Sequence, residues 1–518
     1  MTANREAHGD ARERAAALGA WLRETLAPGA ALVSDSRALR PGDAFLAWPG
    51  AHTDGRRYVD AAVTAGAAAV LYEAADADAL GLRPDGAQGV RMRAVDDLRS
   101  LAGPIAADYY GHPAERLRVV AVTGTNGKTT CTQWMAAGFA ASGRRCAVIG
   151  TLGSGIVESG AQTRFEDVGL TTPDAVALQR LLARFVEAGV ELVAMEASSI
   201  GIDQGRLNGV PVETAVLTNF TRDHLDYHGS EEAYLAAKLR LFSWPGLRHA
   251  LVNGDDPVAP RVLDSLASSI VSLAFGHLPG EHGWRARKKL SAYRIVEHAK
   301  GAQVSIGGDY GRAEIRLQTI GQFNVVNALA AAGVWLLHGM PFEEAMERLE
   351  GLQPIPGRMQ RIVVEGRPLV VVDYAHTPDA LMNVLHALRP LTEARRGALW
   401  CVFGAGGDRD PGKRPLMGMI VERYADRVIV TSDNPRNETP FRIVSDIRAG
   451  FMHEPWLTEL DRELAIRKVL EAAGPDDVVL IAGKGHETYQ EIGGERRPFS
   501  DLEVARKWLC APRTGDDA

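Results

Sequence analysis

The stretch Val119-Val120-Ala121-Val122-Thr123-Gly124-Thr125-Asn126-Gly127-Lys128-Thr129-Thr130 constrains this chain more than any other. Val119 to Val122 predict a buried strand, and Gly124 and Gly127 open a tight loop after it. A loop of this kind lets backbone N–H groups converge on phosphate oxygens, and a helix that starts there points its positive end at them. Lys128 is placed to reach the β- and γ-phosphates, and the Thr129 hydroxyl to hold Mg²⁺. Val122 stands where the strict eight-residue phosphate-loop pattern has its first glycine, so the motif is a shortened variant. Strand, glycine loop, Gly-Lys-Thr-Thr and helix in register point to ATP binding rather than to a chance turn.

A chain of 518 residues is long enough for about three domains. Its 58 basic and 65 acidic residues leave a net charge of −7, which argues against nucleic-acid binding through a general positive field and suits a soluble enzyme. Cys131, Cys146, Cys401 and Cys510 show no Cys-x-x-Cys pairing, so neither a zinc site nor a disulfide framework is expected. The charged N-terminal stretch lacks the apolar core of a signal peptide, and no run approaches the roughly 18 apolar residues of a membrane helix. A cytoplasmic location is expected.

Three units follow along the chain, residues 1–117, 118–356 and 357–518. In the first, Ala31 to Arg37 and Ala44 to Trp48 predict short strands, and Gly50 to Tyr58 is a polar loop before an alanine-rich helix. Each polar segment is either a solvated connection or a ligand contact. Tyr109 to Pro113 resembles a linker into the second unit.

In the second unit Thr171-Thr172-Pro173-Asp174 precedes a helix, where helix capping explains Thr and Asp well. The strand Glu191 to Glu196 ends in a carboxylate beside the phosphate loop, the usual place for a magnesium contact. A further strand, Ala215 to Phe220, leads into a loop with Asp223, His224, Asp226 and His228, which are read as site residues. Lys238 shares a helical face with Tyr234, Ala237 and Leu241; it either snorkels to water or is a buried lysine whose charge has been chemically changed. The stretch 275–320 is polar and strand-like. Asn324 and Asn327 open an alanine-rich helix on one face, either as caps or as amides that read a purine ring.

Pro354 to Arg358 reads as a hinge into the third unit. Strands ending at Asp373, Gly404, Thr431 and Gly483 alternate with helical segments, which predicts a doubly wound parallel sheet. Ligands of such sheets bind beyond the carboxyl ends of the strands, and all four ends here are polar or glycine-rich.

Five motifs together resemble the Mur ligase family over nearly the whole chain: Thr-Gly-Thr-Asn-Gly-Lys-Thr-Thr (123–130), Met-Glu-Ala-Ser-Ser (195–199), Thr-Asn-Phe-Thr-Arg-Asp-His-Leu-Asp (218–226), Gly-Gln-Phe-Asn-Val-Val-Asn (321–327) and Asp-Tyr-Ala-His-Thr-Pro (373–378). Within that family Gly-Asp-Arg-Asp-Pro-Gly-Lys-Arg-Pro (407–415), Asp-Asn-Pro-Arg (433–436) and Gly-Lys-Gly-His-Glu (483–487) are similar to members that add meso-diaminopimelate to a cell-wall precursor. The resemblance implies an α/β fold of three domains: an N-terminal UDP-substrate domain, a central P-loop-type ATPase domain with a parallel sheet, and a C-terminal Rossmann-like amino-acid domain.

The resemblance also implies roles. Gly124, Thr125, Asn126, Gly127, Lys128, Thr129 and Thr130 would cradle ATP, with Asn324, Asn327, Arg358, Asp373 and His376 completing the nucleotide site. Thr129 and Glu196 would hold Mg²⁺ and His224 would contact a second ion, while Lys238, which matches the family's N6-carboxylated (carbamylated) lysine, would set its carbamate beside the metal as a further metal residue; Lys128, Glu196, His224 and Lys238 form the catalytic set. Ser34, Ser36, Ala51, His52 and Thr53 would hold the UDP-sugar end of UDP-N-acetylmuramoyl-L-Ala-D-Glu, and Thr171, Thr172, Ser198, Gln204 and Arg206 its peptide end. Arg409, Asp433, Asn434, Pro435, Arg436, Gly483 and Glu487 would bind diaminopimelate. Leu170 replaces an asparagine, and Ile200 a histidine, that many relatives carry near the peptide site. The implied reaction is ATP-dependent: the D-glutamate γ-carboxylate becomes an acyl phosphate, which the amine of diaminopimelate attacks. The expected partners are small molecules, with no nucleic acid, no membrane insertion and a monomeric protein. The rivals are a folylpolyglutamate synthase, which does not need Asp-Asn-Pro-Arg, and a P-loop NTPase that turns over ATP without an amino-acid substrate.

Overall fold

The computed structural model of the chain describes residues 2–50, 53–83, 89–159, 163–277, 284–298 and 301–511. These residues form a four-stranded, a ten-stranded and a six-stranded sheet, plus a separate two-stranded hairpin.

The first sheet pairs Leu32–Val33, Ala44–Ala47, Ala69–Glu73 and Arg91–Val95 in that order, all parallel. Side chains alternate between its faces. Ala44 and Leu46 join Leu101 and Ile105 of the helix Leu98–Tyr109, while Phe45 and Ala47 join Val59 and Ala62 of the helix Val59–Thr64. Val176 of the central lobe enters the first of these clusters, and the Asn208 amide donates to the Ser100 carbonyl at 3.1 Å, so the seam between the first two lobes is part apolar and part hydrogen-bonded.

In the central sheet Arg118–Thr123 lies between Leu192–Glu196 and Thr214–Leu217, parallel to both. Val120 and Val122 pack with the helices Lys128–Ala141 and Gln322–Leu337; Val119 and Ala121 pack with Ala175–Glu187 on the other face. Burial on both faces is why this strand reads as an unbroken apolar run. The Trp335 indole Nε1 donates to the Met135 carbonyl at 2.9 Å, locking the two helices that flank the phosphate loop. The polar stretch 275–320 supplies the strands Lys288–His298, Gly301–Gly308 and Arg312–Leu317, joined as antiparallel neighbours at the edge of the sheet. The segment read as a loop from Arg222 to Gly229 contains one helical turn, Leu225–His228, entered through His224 at φ 52°. That left-handed residue redirects the chain sharply enough to start the turn.

The third sheet runs Gln360–Ile362, Leu369–Asp373, Val478–Ala482, Leu399–Phe403, Arg427–Val430, Leu457–Thr458. Only its first pairing is antiparallel. Helices Pro378–Arg395, Lys413–Tyr424 and Pro440–Arg448 cover one face, and Arg462–Ala472 and Asp501–Cys510 the other, giving the doubly wound α/β architecture expected. Among the described residues no helix is long and apolar enough to cross a membrane.

Candidate active site

The carboxyl ends of the central and third sheets face one another across a cleft of about 1490 Å³, with Gly50 and Thr53 of the first lobe at its rim. Most residues singled out in the sequence line this cleft. Ser34, Ser36, Gly124, Thr172, His228 and Pro435 are not among its lining residues, and Ala51 and His52 lie outside the described residues.

The phosphate loop is built from the strand outward. Gly127 sits at φ 84° at the helix N-terminus, where an added Cβ would lie 2.5 Å from the Asn327 Oδ1, so only glycine fits the turn and the packing. No side chain caps that helix, which leaves its first N–H groups for a ligand. The Lys128 ammonium donates to the carbonyls of Gly124 (2.9 Å) and Thr125 (2.8 Å). The Lys238 ammonium donates to the same Gly124 carbonyl at 2.8 Å and lies 4.4 Å from the Tyr234 ring centre. Lys238 is only 1% exposed, so it does not snorkel. Burial pulls the pKa of Lys128 down, and burial together with the neighbouring Lys128 pulls that of Lys238 well down. The buried Lys238 and the half-buried Lys128 share one carbonyl oxygen, an arrangement that favours an anion between them.

Carboxylate and hydroxyl oxygens gather beside this pair. The Thr129 hydroxyl donates to Glu196 Oε1 at 2.9 Å, and the Thr151 backbone N–H donates to the same oxygen at 2.8 Å. Arg358 at the hinge donates from Nη2 to the Thr129 hydroxyl at 2.9 Å, with its guanidinium 4.4 Å from the Tyr374 ring centre. Burial pushes His224 down to about 3, which keeps its imidazole neutral. Burial works to raise the Asp223 carboxyl, yet Lys413, His224 and His376 hold it below the usual carboxylate range.

Asn324 and Asn327 are buried and chained together, the Asn324 amide donating to the Ile320 carbonyl (2.8 Å) and the Asn327 amide to Asn324 Oδ1 (3.4 Å). Both Asp373 oxygens accept backbone N–H groups, from Ala375 (2.8 Å) and Met359 (2.7 Å), so this carboxylate clamps the hinge to its strand. His376 donates from Nδ1 to the Tyr374 carbonyl at 2.8 Å; burial, then Lys413, takes its pKa down to about 4.

On the first-lobe side Arg206 donates to Gln204 Oε1 from Nη2 (2.6 Å) and to the Thr172 carbonyl from Nη1 (2.8 Å). Thr172 is buried and donates to the Glu196 carbonyl at 2.7 Å, so it supports the site from beneath. Asp174 caps the following helix through Val176 N–H at 3.0 Å and Ala177 N–H at 3.1 Å, as capping alone explains. Leu170 is 48% exposed in this otherwise polar wall, and Ile200 also lines it.

On the third-lobe side the Asn434 amide donates to Glu487 Oε2 at 2.8 Å, and the buried Lys484 ammonium binds Asn434 Oδ1 (3.0 Å) and Glu487 Oε2 (2.8 Å). Ion pairs tie this lobe to the loop after Asn219: Lys413 to Asp223 (3.4 Å), Arg222 to Asp410 (3.4 Å) and Arg409 to Asp226 (3.9 Å). The Asn126 amide also reaches across to Asp379 Oδ2 at 3.1 Å. The sequence reading gave no role to Lys413, Asp379, Lys484 or Thr151. The first three lie inside or beside quoted motifs, the only local signal they carry.

Residues 31–110 match the Mur ligase family catalytic domain, 122–335 the Mur ligase middle domain, and 357–485 the Mur ligase glutamate ligase domain. A Ralstonia nicotianae protein named UDP-N-acetylmuramoyl-L-alanyl-D-glutamate–2,6-diaminopimelate ligase is 47% identical over 506 residues, covering 95% of each chain. The chain belongs to the Mur ligase family. Another Mur ligase of the same name, from Pseudomonas aeruginosa, is 45% identical over 489 residues, covering 93% of this chain and 95% of the other. A solved structure under that name matches with TM-score 0.60 at 35% identity, covering 92% of this chain and 94% of that one. The MurF ligase from Thermotoga maritima, solved in complex with ADP, shares the fold with TM-score 0.65 at 18% identity, covering 93% and 97%.

Proposed function

We propose that this Mur ligase joins meso-diaminopimelate to the D-glutamate γ-carboxylate of UDP-N-acetylmuramoyl-L-Ala-D-Glu at the expense of ATP, in peptidoglycan synthesis. One observation carries the reading. A single cleft brings a phosphate loop, the preset Arg206 and the loop of Arg436 together, in a chain 45–47% identical to ligases of that name over nearly its whole length. Residues 1–117 take the UDP end through Ser34, Ser36 and the Ala51–Thr53 loop, 118–356 take ATP, and 357–518 take the amino acid. The three binding regions lie on one chain, which supports a monomer, and the use of ATP and a UDP-linked precursor supports a cytoplasmic location.

The carboxylate oxygen attacks the γ-phosphorus and ADP leaves. The amine nitrogen then attacks the acyl carbon, the bond to phosphate breaks, and the nitrogen sheds its extra proton. Lys128 and the uncapped helix end stabilise phosphoryl charge. Closure of the lobes places the three reactants. The hydroxyl and carboxylate oxygens of Thr129 and Glu196, with the neutral imidazole of His224, fit a hard dication; Mg²⁺ held by them would neutralise the phosphates. A lowered pKa leaves the Lys238 amine free to add CO₂, and the resulting carbamate replaces a repelling cation with a carboxylate-like group.

The test is the mass of the product formed from ATP, the UDP-dipeptide and either meso-diaminopimelate or L-lysine. Diaminopimelate differs from lysine by a distal carboxylate, for which the Arg436 guanidinium is a fitting partner. Lysine should be used at least ~30-fold less efficiently by the wild type, and Arg436→Ala should lose most of that preference. No tripeptide product with diaminopimelate would overturn the assignment.

A further inference from the structure

The two-stranded hairpin Tyr489–Ile492 and Glu495–Pro498 belongs to neither face of the third sheet, and its second strand is exposed throughout. It is nevertheless stitched to the Asp433–Arg436 loop. The Arg436 N–H donates to the Glu491 carbonyl (3.0 Å), and the Gly493 N–H donates to the Arg436 carbonyl (2.7 Å). The Glu491 N–H donates to Asn434 Oδ1 (3.0 Å), and the Gln490 amide to the Asp433 carbonyl (2.7 Å). These bonds hold Arg436 at φ 51°, a left-handed conformation that a long side chain seldom adopts.

The guanidinium is held as well. Its Nη1 donates to the Gly407 carbonyl at 2.7 Å, and its Nε lies 3.5 Å from Glu491 Oε2. Arg436 lines the cleft whereas Glu491 does not, so the carboxylate braces the guanidinium from behind and the remaining donors are left to a ligand. Gly493 (φ 59°) and Gly494 (φ 79°) close the hairpin with two successive left-handed residues, which fixes the register that brings the Gly493 N–H to Arg436.

We propose that Glu491 and the turn at Gly493 are positioning elements for amino-acid selection, acting through Arg436 on the distal carboxylate of the incoming amino acid. The inference rests on the reading of Arg436 as the partner of that carboxylate. A brace of this kind is set before the substrate arrives, so its loss falls on the ligand that needs the aimed guanidinium and spares one that does not.

The experiment compares kcat/KM for meso-diaminopimelate and for L-lysine in wild type, Glu491→Ala, Glu491→Gln and Gly493→Pro, with KM for ATP and the UDP-dipeptide as internal references. Glu491→Ala should lower kcat/KM for diaminopimelate about threefold, the scale of a partly exposed ion pair, with Glu491→Gln in between because it keeps the side chain's bulk and a partial negative charge on its oxygen. Gly493→Pro removes the N–H and forbids the left-handed turn, and should cost about tenfold or more on diaminopimelate. Lysine and the two reference substrates should hold their wild-type values. Equal losses on diaminopimelate and lysine, or no loss on diaminopimelate in any variant, overturn the proposal. A wild type that does not use diaminopimelate overturns the reading beneath it instead.

Discussion

The central sheet carries polar clusters at both ends of its strands, and the two ends are built differently. At the strand starts Arg118 grips Glu213 through two 3.0 Å bonds. The Thr214 hydroxyl lies 2.8 Å from His338 Nε2 and 3.3 Å from His249 Nδ1. Those groups partner each other, and the buried His338 Nδ1 is left without a hydrogen bond among the described residues. At the strand ends Lys128 and Lys238 converge on one carbonyl and, among the described residues, share no carboxylate between them in a hydrogen bond. A self-paired cluster stabilises the fold, and an under-paired one waits for a ligand.

The largest effect that sharpens this contrast is on Lys128. Lys128→Ala should lower product formation by at least about 10²–10³-fold, the scale of losing one preorganised donor to developing charge. Its thermal midpoint without ligands should stay near the wild type, because a half-buried cation with no carboxylate partner adds little stability. A variant that melts far below the wild type would break the contrast.

Lys238→Ala comes next, with a loss of about 10–100-fold or more if its carbamate orients the metal ligands. Acetate or formate should restore part of the activity by standing in for the missing carboxylate. Wild-type activity without such an additive would remove Lys238 from the mechanism.

The strand-start cluster predicts a smaller effect, visible only in stability. Burial, with Arg118 beside it, pushes His338 down to about 3. An unfolded histidine titrates near 6.5, so unfolding takes up a proton between those values. Stability is therefore untouched above about pH 6.5 and falls as the pH drops below it, by up to about 1.4 kcal/mol per pH unit for each such group. His338→Gln should flatten that acid-side fall in melting temperature while leaving its steepness at pH 8 unchanged. Identical pH profiles for variant and wild type would contradict the titration.

What could be read from the sequence follows the same division. The strand Arg118–Thr123 and its loop are contiguous, so their apolar run and glycines announce both the fold and the ligand class. The four strand ends of the third sheet were legible for the same reason. Lys238 could be placed on an apolar stripe, but only the packed structure shows that it does not reach water. Contacts between lobes left no periodic trace: Arg358 meets Thr129, and Asn126 meets Asp379, across more than two hundred residues of chain. The clamp role of Asp373 was equally hidden, because both its bonds are to backbone N–H groups that carry no side-chain signature. The hairpin behind Arg436 reads in sequence as a polar tail with a Gly-Gly turn.

The most direct test of the central claim, that the under-paired cleft serves a three-substrate ligase, is phosphate release from ATP. It is measured with neither, either and both of UDP-N-acetylmuramoyl-L-Ala-D-Glu and meso-diaminopimelate present. The account predicts slow turnover until both are added, then release matched one for one by amide product. Fast hydrolysis that ignores both substrates would contradict it and make the protein a P-loop NTPase of another kind.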